Sequence, residues 1–310
     1  TVLGSDFGTD PFYAVAFPDL LHGYITGNND DAWRSTDGGV TWIQMTTIPG
    51  GSWYHLDFLT PTTGFAGANG ACCATTNGGV NWVLRSGYPA CPILYSMDFR
   101  DSQVGLVGGY HAGLGQDGIW KTTDGGITWT RKHPSASNAL IWMSSQAAVA
   151  SIGTEIYRST DAGESWSFFG GGITTGLIRM ARAGETVLVG VSVKGDIWRS
   201  SDGGANWSSV FDGLGDLPDS WGVSFSDAQH GWVVGHHGIL LETADGGLTW
   251  SLRNSGSSVQ IYELKMRDDL LFGLAACNNG YVLRTTNGGV FWETQKLEVT
   301  GQIFGRDESL

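Results

Sequence analysis

Three carboxylates occupy positions where acid–base chemistry is conceivable. Asp57 and Asp98 sit at matching places in Tyr54-His55-Leu56-Asp57-Phe58 and Tyr95-Ser96-Met97-Asp98-Phe99, and Glu263 lies in the related Tyr262-Glu263-Leu264-Lys265-Met266. A glycoside hydrolase needs two carboxyls roughly 5–10 Å apart. Equivalent positions on adjacent strands would let Asp57 and Asp98 approach each other, which makes Asp57, Asp98 and Glu263 the catalytic candidates. The same alternation brings His55, Trp142, Arg179 and Lys265 onto the carboxylates' side of the chain. Charges gathered there need partners or water. Pairs such as Glu263 or Asp98 with Arg179 or Lys265 would meet that need. A second set, His236, His237 and His111, has the donor type for zinc or copper. Neighbouring histidines on a β-loop point apart, however, and no carboxylate motif accompanies them, so neither metal nor cofactor is expected. No Gly-x-Ser-x-Gly elbow precedes a helical segment. Cys72, Cys73, Cys91 and Cys277 lack the spacing of a zinc site. A bridge from Cys72 or Cys73 to Cys91 would close a loop worth roughly 3 kcal/mol and imply an oxidising compartment. Buried thiols are the alternative.

The elements that must position these groups come from a repeat. Ser35-Thr36-Asp37-Gly38-Gly39-Val40-Thr41-Trp42 recurs six more times, ending at Trp82, Trp129, Trp166, Trp207, Trp250 and Trp292. The tryptophans step by 40, 47, 37, 41, 43 and 42 residues. That period suits one four-stranded propeller blade. Each residue type has a local task. The Asp or Asn oxygen accepts backbone N–H groups of the following turn, the Gly pair supplies positive φ, and the Ser/Thr hydroxyl ties the strand end to that turn. The Trp offers a large apolar face. Asn77 and Asn287 in place of Asp would spoil catalysis but not a turn. The stretch is therefore read as a structural staple.

The stretch resembles the Asp box of sialidases, sortilin-type receptors, xyloglucan-degrading glycosidases and photosystem II assembly-factor-like proteins. The wider pattern narrows the choice. Val223 to Gly235 contains Phe225, Asp227 and His230-Gly231-Trp232 before the next box, and Phe17, Asp19 and His22-Gly23-Tyr24 repeat it. This is similar to the photosystem II stability/assembly factor family. The resemblance implies an all-β, seven-bladed β-propeller acting as a rigid platform for a partner polypeptide. It also implies a basic arginine patch, for which Arg179 and Arg182 are the nearest candidates. The sialidase Arg-Ile-Pro opening is absent, and Arg34, Arg158, Arg199 and Arg284 sit just before boxes.

Composition agrees with a turn-rich β chain: 310 residues, 48 Gly, 8 Pro, 15% charged and 41% hydrophobic with 14 Trp. No apolar run reaches membrane-spanning length. A net charge of −13 repels phosphate and argues against nucleic acid. A single domain is expected, with blades near 12–50, 51–90, 91–135, 136–172, 173–215, 216–257 and 258–304. Blade 1 should hold strands at 12–17, 23–27, 31–35 and 40–45. Innermost strands are expected at 53–58, 94–99, 140–145, 177–182, 220–225 and 261–266. Their Tyr13, Tyr54 and Tyr95 face is read as blade packing and their His55–Asp57 face as channel lining.

Loops between second and third strands, and between blades, share one face. They bring Trp53, Tyr110, His111, Trp221, His236 and His237 to a rim. With His55, Arg179 and Lys265 these are the binding candidates. The expected function is a monomeric, non-enzymatic scaffold that presents this rim to a protein or glycan partner. The alternative is a secreted glycan-active protein, lectin-like or hydrolytic. Either suits an extracytoplasmic site: secreted, periplasmic or thylakoid-lumen-like.

Overall fold

The computed structural model describes residues 10–29, 31–45, 51–85, 93–110, 117–212, 220–267 and 269–297. These form seven four-stranded antiparallel sheets, each built from strands consecutive in sequence. The chain is an all-β, seven-bladed propeller. No α-helix occurs among the described residues, only the 3-10 turns His236–Gly238 and Asn278–Gly280. Blade 1 comprises Phe12–Ala16, Gly23–Gly27, Ala32–Ser35 and Ile43–Gln44. The innermost strands of blades 2 to 7 are Trp53–Phe58, Ile93–Phe99, Ala139–Trp142, Leu177–Arg182, Ser220–Phe225 and Ile261–Met266. Blade 4 departs most from expectation. Its strand ends at Trp142, paired with Ala148, so Trp142 takes the terminal slot that Phe58 and Phe99 fill opposite Gly64 and Gly105.

The repeat's residue types explain how blades form and pack. In the box of blade 1 the Ser35 hydroxyl donates to Asp37 Oδ1 at 2.8 Å and accepts the Gly39 N–H at 2.8 Å. Asp37 then accepts the Thr41 N–H at 2.9 Å and the Thr41 hydroxyl at 2.5 Å. Asn77 Oδ1 keeps the first two kinds of contact, from the Thr75 hydroxyl at 3.0 Å and the Asn81 N–H at 2.9 Å. The amide therefore replaces the carboxylate without loss of the turn. The second box Gly is needed for a different reason. A Cβ on Gly247, at φ +81, would lie 2.8 Å from Val189 of the preceding blade.

Aromatic rings carry packing between blades. The Phe58 ring lies over Gly64, where a Cβ would come within 2.7 Å. It stacks on Tyr24 of blade 1 at 3.6 Å and meets the box Trp82 edge-on at 5.9 Å. Phe99 repeats this with Phe65 at 3.5 Å and Trp129 at 6.0 Å. The sequence motif of Phe, acidic turn, Gly and aromatic thus encodes a ring clamped between neighbouring blades. The cysteines add apolar volume. Cys72 and Cys277 are buried free thiols and Cys73 is buried beside Cys72. Burial pushes the Cys72 and Cys73 thiols up to about 12. Cys91 lies outside the described residues.

Two stability predictions follow from the boxes. Hydrogen bonds from Thr249 hold the Asp245 carboxyl down to about 2. A carboxylate depressed in the fold contributes stability that is complete above the ordinary carboxylate range and lost as pH falls through its folded value. Asp245→Ala should cost about 1–3 kcal/mol at neutral pH. Asp245→Asn should cost less and flatten the acid side of a melting-temperature profile; equal losses would contradict the turn account. Ala162 holds φ +60 where other boxes have Gly. Ala162→Gly should raise stability by about 0.5–1 kcal/mol, measured by urea unfolding.

Candidate functional site

The seven innermost strands surround an axial cavity of about 600 Å³. In blades 2 to 5 successive residues of the inner strand, and so both of its faces, reach it, because strand edges rather than sheet faces meet at the axis. One end is lined by Tyr13, Tyr54, Tyr95 and Tyr262, from blades 1, 2, 3 and 7. Tyr13 contacts Tyr54 at a centroid distance of 4.8 Å and Tyr262, edge-on, at 5.0 Å. Burial, then the neighbouring phenols, push the Tyr13 hydroxyl up to about 12, so this phenol is neutral at physiological pH. Sequence reasoning placed Tyr13, Tyr54 and Tyr95 in the packing between blades. The Tyr recurring four residues before Phe17, Phe58, Phe99 and Met266 was the signal for a collar.

Below the collar the expected polar residues come together, and most of their contacts cross between blades. Asp57 Oδ2 accepts the Phe99 N–H at 2.8 Å, and Asp98 Oδ2 accepts the Trp142 N–H at 2.7 Å. Glu263 Oε2 accepts the Val15 N–H at 3.0 Å across the seam between blades 7 and 1. Its other oxygen faces Lys265 Nζ at 3.1 Å. Arg179 Nη1 reaches from blade 5 past blade 4 to the Tyr95 carbonyl at 3.2 Å. The His55 Nε2 meets the Leu94 carbonyl at 3.4 Å. Burial, and then the Arg179 charge, hold His55 down to about 3, so its imidazole is neutral and Nε2 carries the proton.

Asp57 and Asp98 are shifted the opposite way from the box aspartates. Burial raises both above the ordinary carboxylate range, and the Asp57 carboxylate raises Asp98 as well. The Phe99 and Trp142 N–H bonds and the Lys265 charge oppose the rise.

The rim is less concentrated than expected. Trp53 is fully buried and packs with Tyr24 and Met45 of blade 1, so it is not a rim residue. Trp53 was expected at the rim because it adjoins a between-blade loop; a β-bulge between Trp53 and His55 breaks the strand's register there. Tyr110 is 37% exposed. His236 is half-buried and His237 exposed, their rings 6.1 Å apart at centroids. His111 lies outside the described residues, and Trp221 is placed only by its position in Ser220–Phe225. Among the described residues no cluster of three or more His, Cys, Asp or Glu is arranged to hold a metal ion. None of their helices is long and apolar enough to cross a membrane.

The bond from the Trp142 N–H to Asp98 predicts the sign of one substitution. A carboxyl raised in the fold loses stability as pH climbs from the unfolded to the folded value. Asp98→Asn keeps an acceptor for the Trp142 N–H and carries no charge. It should match or exceed wild-type melting temperature at pH 8, whereas Asp98→Ala should fall below it. Destabilisation by Asn equal to that by Ala would contradict the assignment.

Comparison with known proteins agrees with this architecture. Residues 216–306 match the family described as Photosynthesis system II assembly factor YCF48. A solved structure titled YCF48 bound to D1 peptide is 19% identical, with TM-score 0.70, over 95% of this chain and 94% of that one. YCF48 from Cyanidioschyzon merolae is 15% identical, with TM-score 0.70, over 90% and 96%. The GH74 enzyme of Niastella koreensis is 15% identical, with TM-score 0.71, over 93% of this chain but 54% of that one. No curated protein sequence matches the chain. The molecule is a seven-bladed Asp-box propeller that resembles the photosystem II assembly-factor family in fold and, over its last two blades, in sequence.

Proposed function

We propose that this propeller is a non-enzymatic scaffold that holds a partner polypeptide at the tyrosine-lined mouth of its channel. The observation that carries the reading is the collar of Tyr13, Tyr54, Tyr95 and Tyr262 over a 600 Å³ cavity. Among the described residues, the hydroxyls of Tyr13, Tyr54 and Tyr95 make no hydrogen bond. They offer polar tips on rigid apolar rings, the residue type that dominates binding hot spots. Tyr110, His236 and His237 extend this surface, while Arg179 and Lys265 fix its floor. A similar structure is described as bound to a D1 peptide, which supports a protein partner here. The scaffold acts as a monomer. The family description supports an extracytoplasmic, thylakoid-lumen-like setting.

The glycan-active alternative draws less support. Asp57, Asp98 and Glu263 each already accept a backbone N–H of the adjacent blade. Likeness to a glycosidase at 15% identity supports a shared fold only.

Two measurements test the reading. Titration of the best binder from an array of extended peptides should show at least about tenfold weaker affinity for Tyr54→Ala than for wild type. A panel of chromogenic glycosides should show no turnover. Hydrolysis by wild type that disappears in Asp57→Asn and Asp98→Asn would sink the scaffold reading.

A further inference from the structure

The chain contains four Asn-Gly steps: Asn69-Gly70, Asn77-Gly78, Asn279-Gly280 and Asn287-Gly288. In an unrestrained chain such a step rearranges spontaneously. The glycine amide nitrogen attacks the asparagine Cγ, and the absence of a Cβ on glycine makes that approach easy. The new C–N bond closes a five-membered imide. The side-chain nitrogen leaves as ammonia and takes up the amide proton. Water then opens either imide C–N bond, giving aspartate or isoaspartate. The step requires a free glycine N–H and an accessible, polarised Cγ carbonyl.

Three of the steps are folded against it. The Gly78 N–H donates to the Thr62 carbonyl at 2.9 Å, and the Gly288 N–H to the Leu271 carbonyl at 2.8 Å. Both glycines are also crowded: a Cβ would lie 3.0 Å from the Pro61 carbonyl at Gly78, and 2.9 Å from the Leu270 carbonyl at Gly288. Gly280 is buried.

Asn69-Gly70 differs on every count. It forms the exposed turn between Gly64–Ala68 and Ala71–Thr75 of blade 2. Among the described residues the Gly70 N–H has no acceptor, and a Cβ at Gly70 would meet nothing within 4 Å. The Leu94 N–H donates to Asn69 Oδ1 at 3.0 Å. That bond polarises the carbonyl under attack and stabilises the oxyanion that forms on it.

We propose that Asn69 is a self-modifying site, a spontaneous deamidation centre formed by the blade 2 turn and the Leu94 amide. The consequence is local to the channel mouth. Leu94 precedes Tyr95 of the collar, so the Asn69–Leu94 bond ties that strand to blade 2. Aspartate retains an acceptor for Leu94, whereas isoaspartate adds a methylene to the main chain of the turn and displaces it.

The test is peptide mass spectrometry of the intact folded protein held at mildly alkaline pH, beside the same protein unfolded in urea. In the folded protein the Asn69 peptide should acquire the amide-to-acid mass change and isoaspartate while the Asn77 and Asn287 peptides keep their amides. In urea the three should convert at comparable rates, because the fold no longer restrains any of them. Conversion of Asn77 or Asn287 as fast as Asn69 in the folded protein would overturn the proposal. So would an Asn69 amide that persists in the fold while the unfolded chain converts.

Discussion

Seven sheets arranged around an axis leave seven inner edges, and an edge strand carries N–H groups with no strand to receive them. This molecule meets that constraint with side chains from the adjacent blade. Asp57 serves Phe99, Asp98 serves Trp142, and Glu263 serves Val15. A carboxylate is an effective acceptor for such a bond, but a charge held near the axis is poorly hydrated. The raised pKa values of Asp57 and Asp98 are the cost of this arrangement. The same carboxylates that suggested acid–base chemistry in the sequence are thus bound into the wall. The bond from Val15 to Glu263 joins the first blade to the last, and among the described residues each of these two blades takes its four strands from consecutive sequence.

The outer turns solve the complementary problem. Each box holds a hairpin by hydrogen bonds among side chains and backbone amides, each worth about 0.5–1.5 kcal/mol net. Exposure keeps these carboxylates ionised, and donors on three sides lower their pKa values. One side-chain type therefore behaves oppositely at the two ends of a blade, according to solvent and donors. The second box Gly adds a contact between blades, since its bare Cα lets the turn settle on the preceding blade.

The repeat was fully legible in the sequence, because a box needs the same hydroxyl, carboxyl or amide, and glycines wherever it occurs. Inner-strand positions followed from the period-two alternation that recurs in each blade, and the fold pairs the closing Phe58 and Phe99 with Gly64 and Gly105. Blade 4 slipped because Trp142 replaces that Phe and Ala148 that Gly. The candidate site was harder to read. Period-two alternation separates two faces, so Tyr13 and Tyr54 were assigned away from the channel that both faces border. Trp53 followed its loop neighbours in the sequence but the blade interior in the fold, turned there at a bulge. Contacts such as Arg179 to the Tyr95 carbonyl skip a blade, and no spacing in the chain encodes them.

Native-state hydrogen exchange at the Val15, Phe99 and Trp142 amides tests the central claim most directly. If side chains from adjacent blades seal the inner edges, all three should exchange only through global unfolding, with the same free energy as the buried strands. Exchange at Val15 by local opening, with Phe99 and Trp142 still protected, would show that Glu263 does not close the ring.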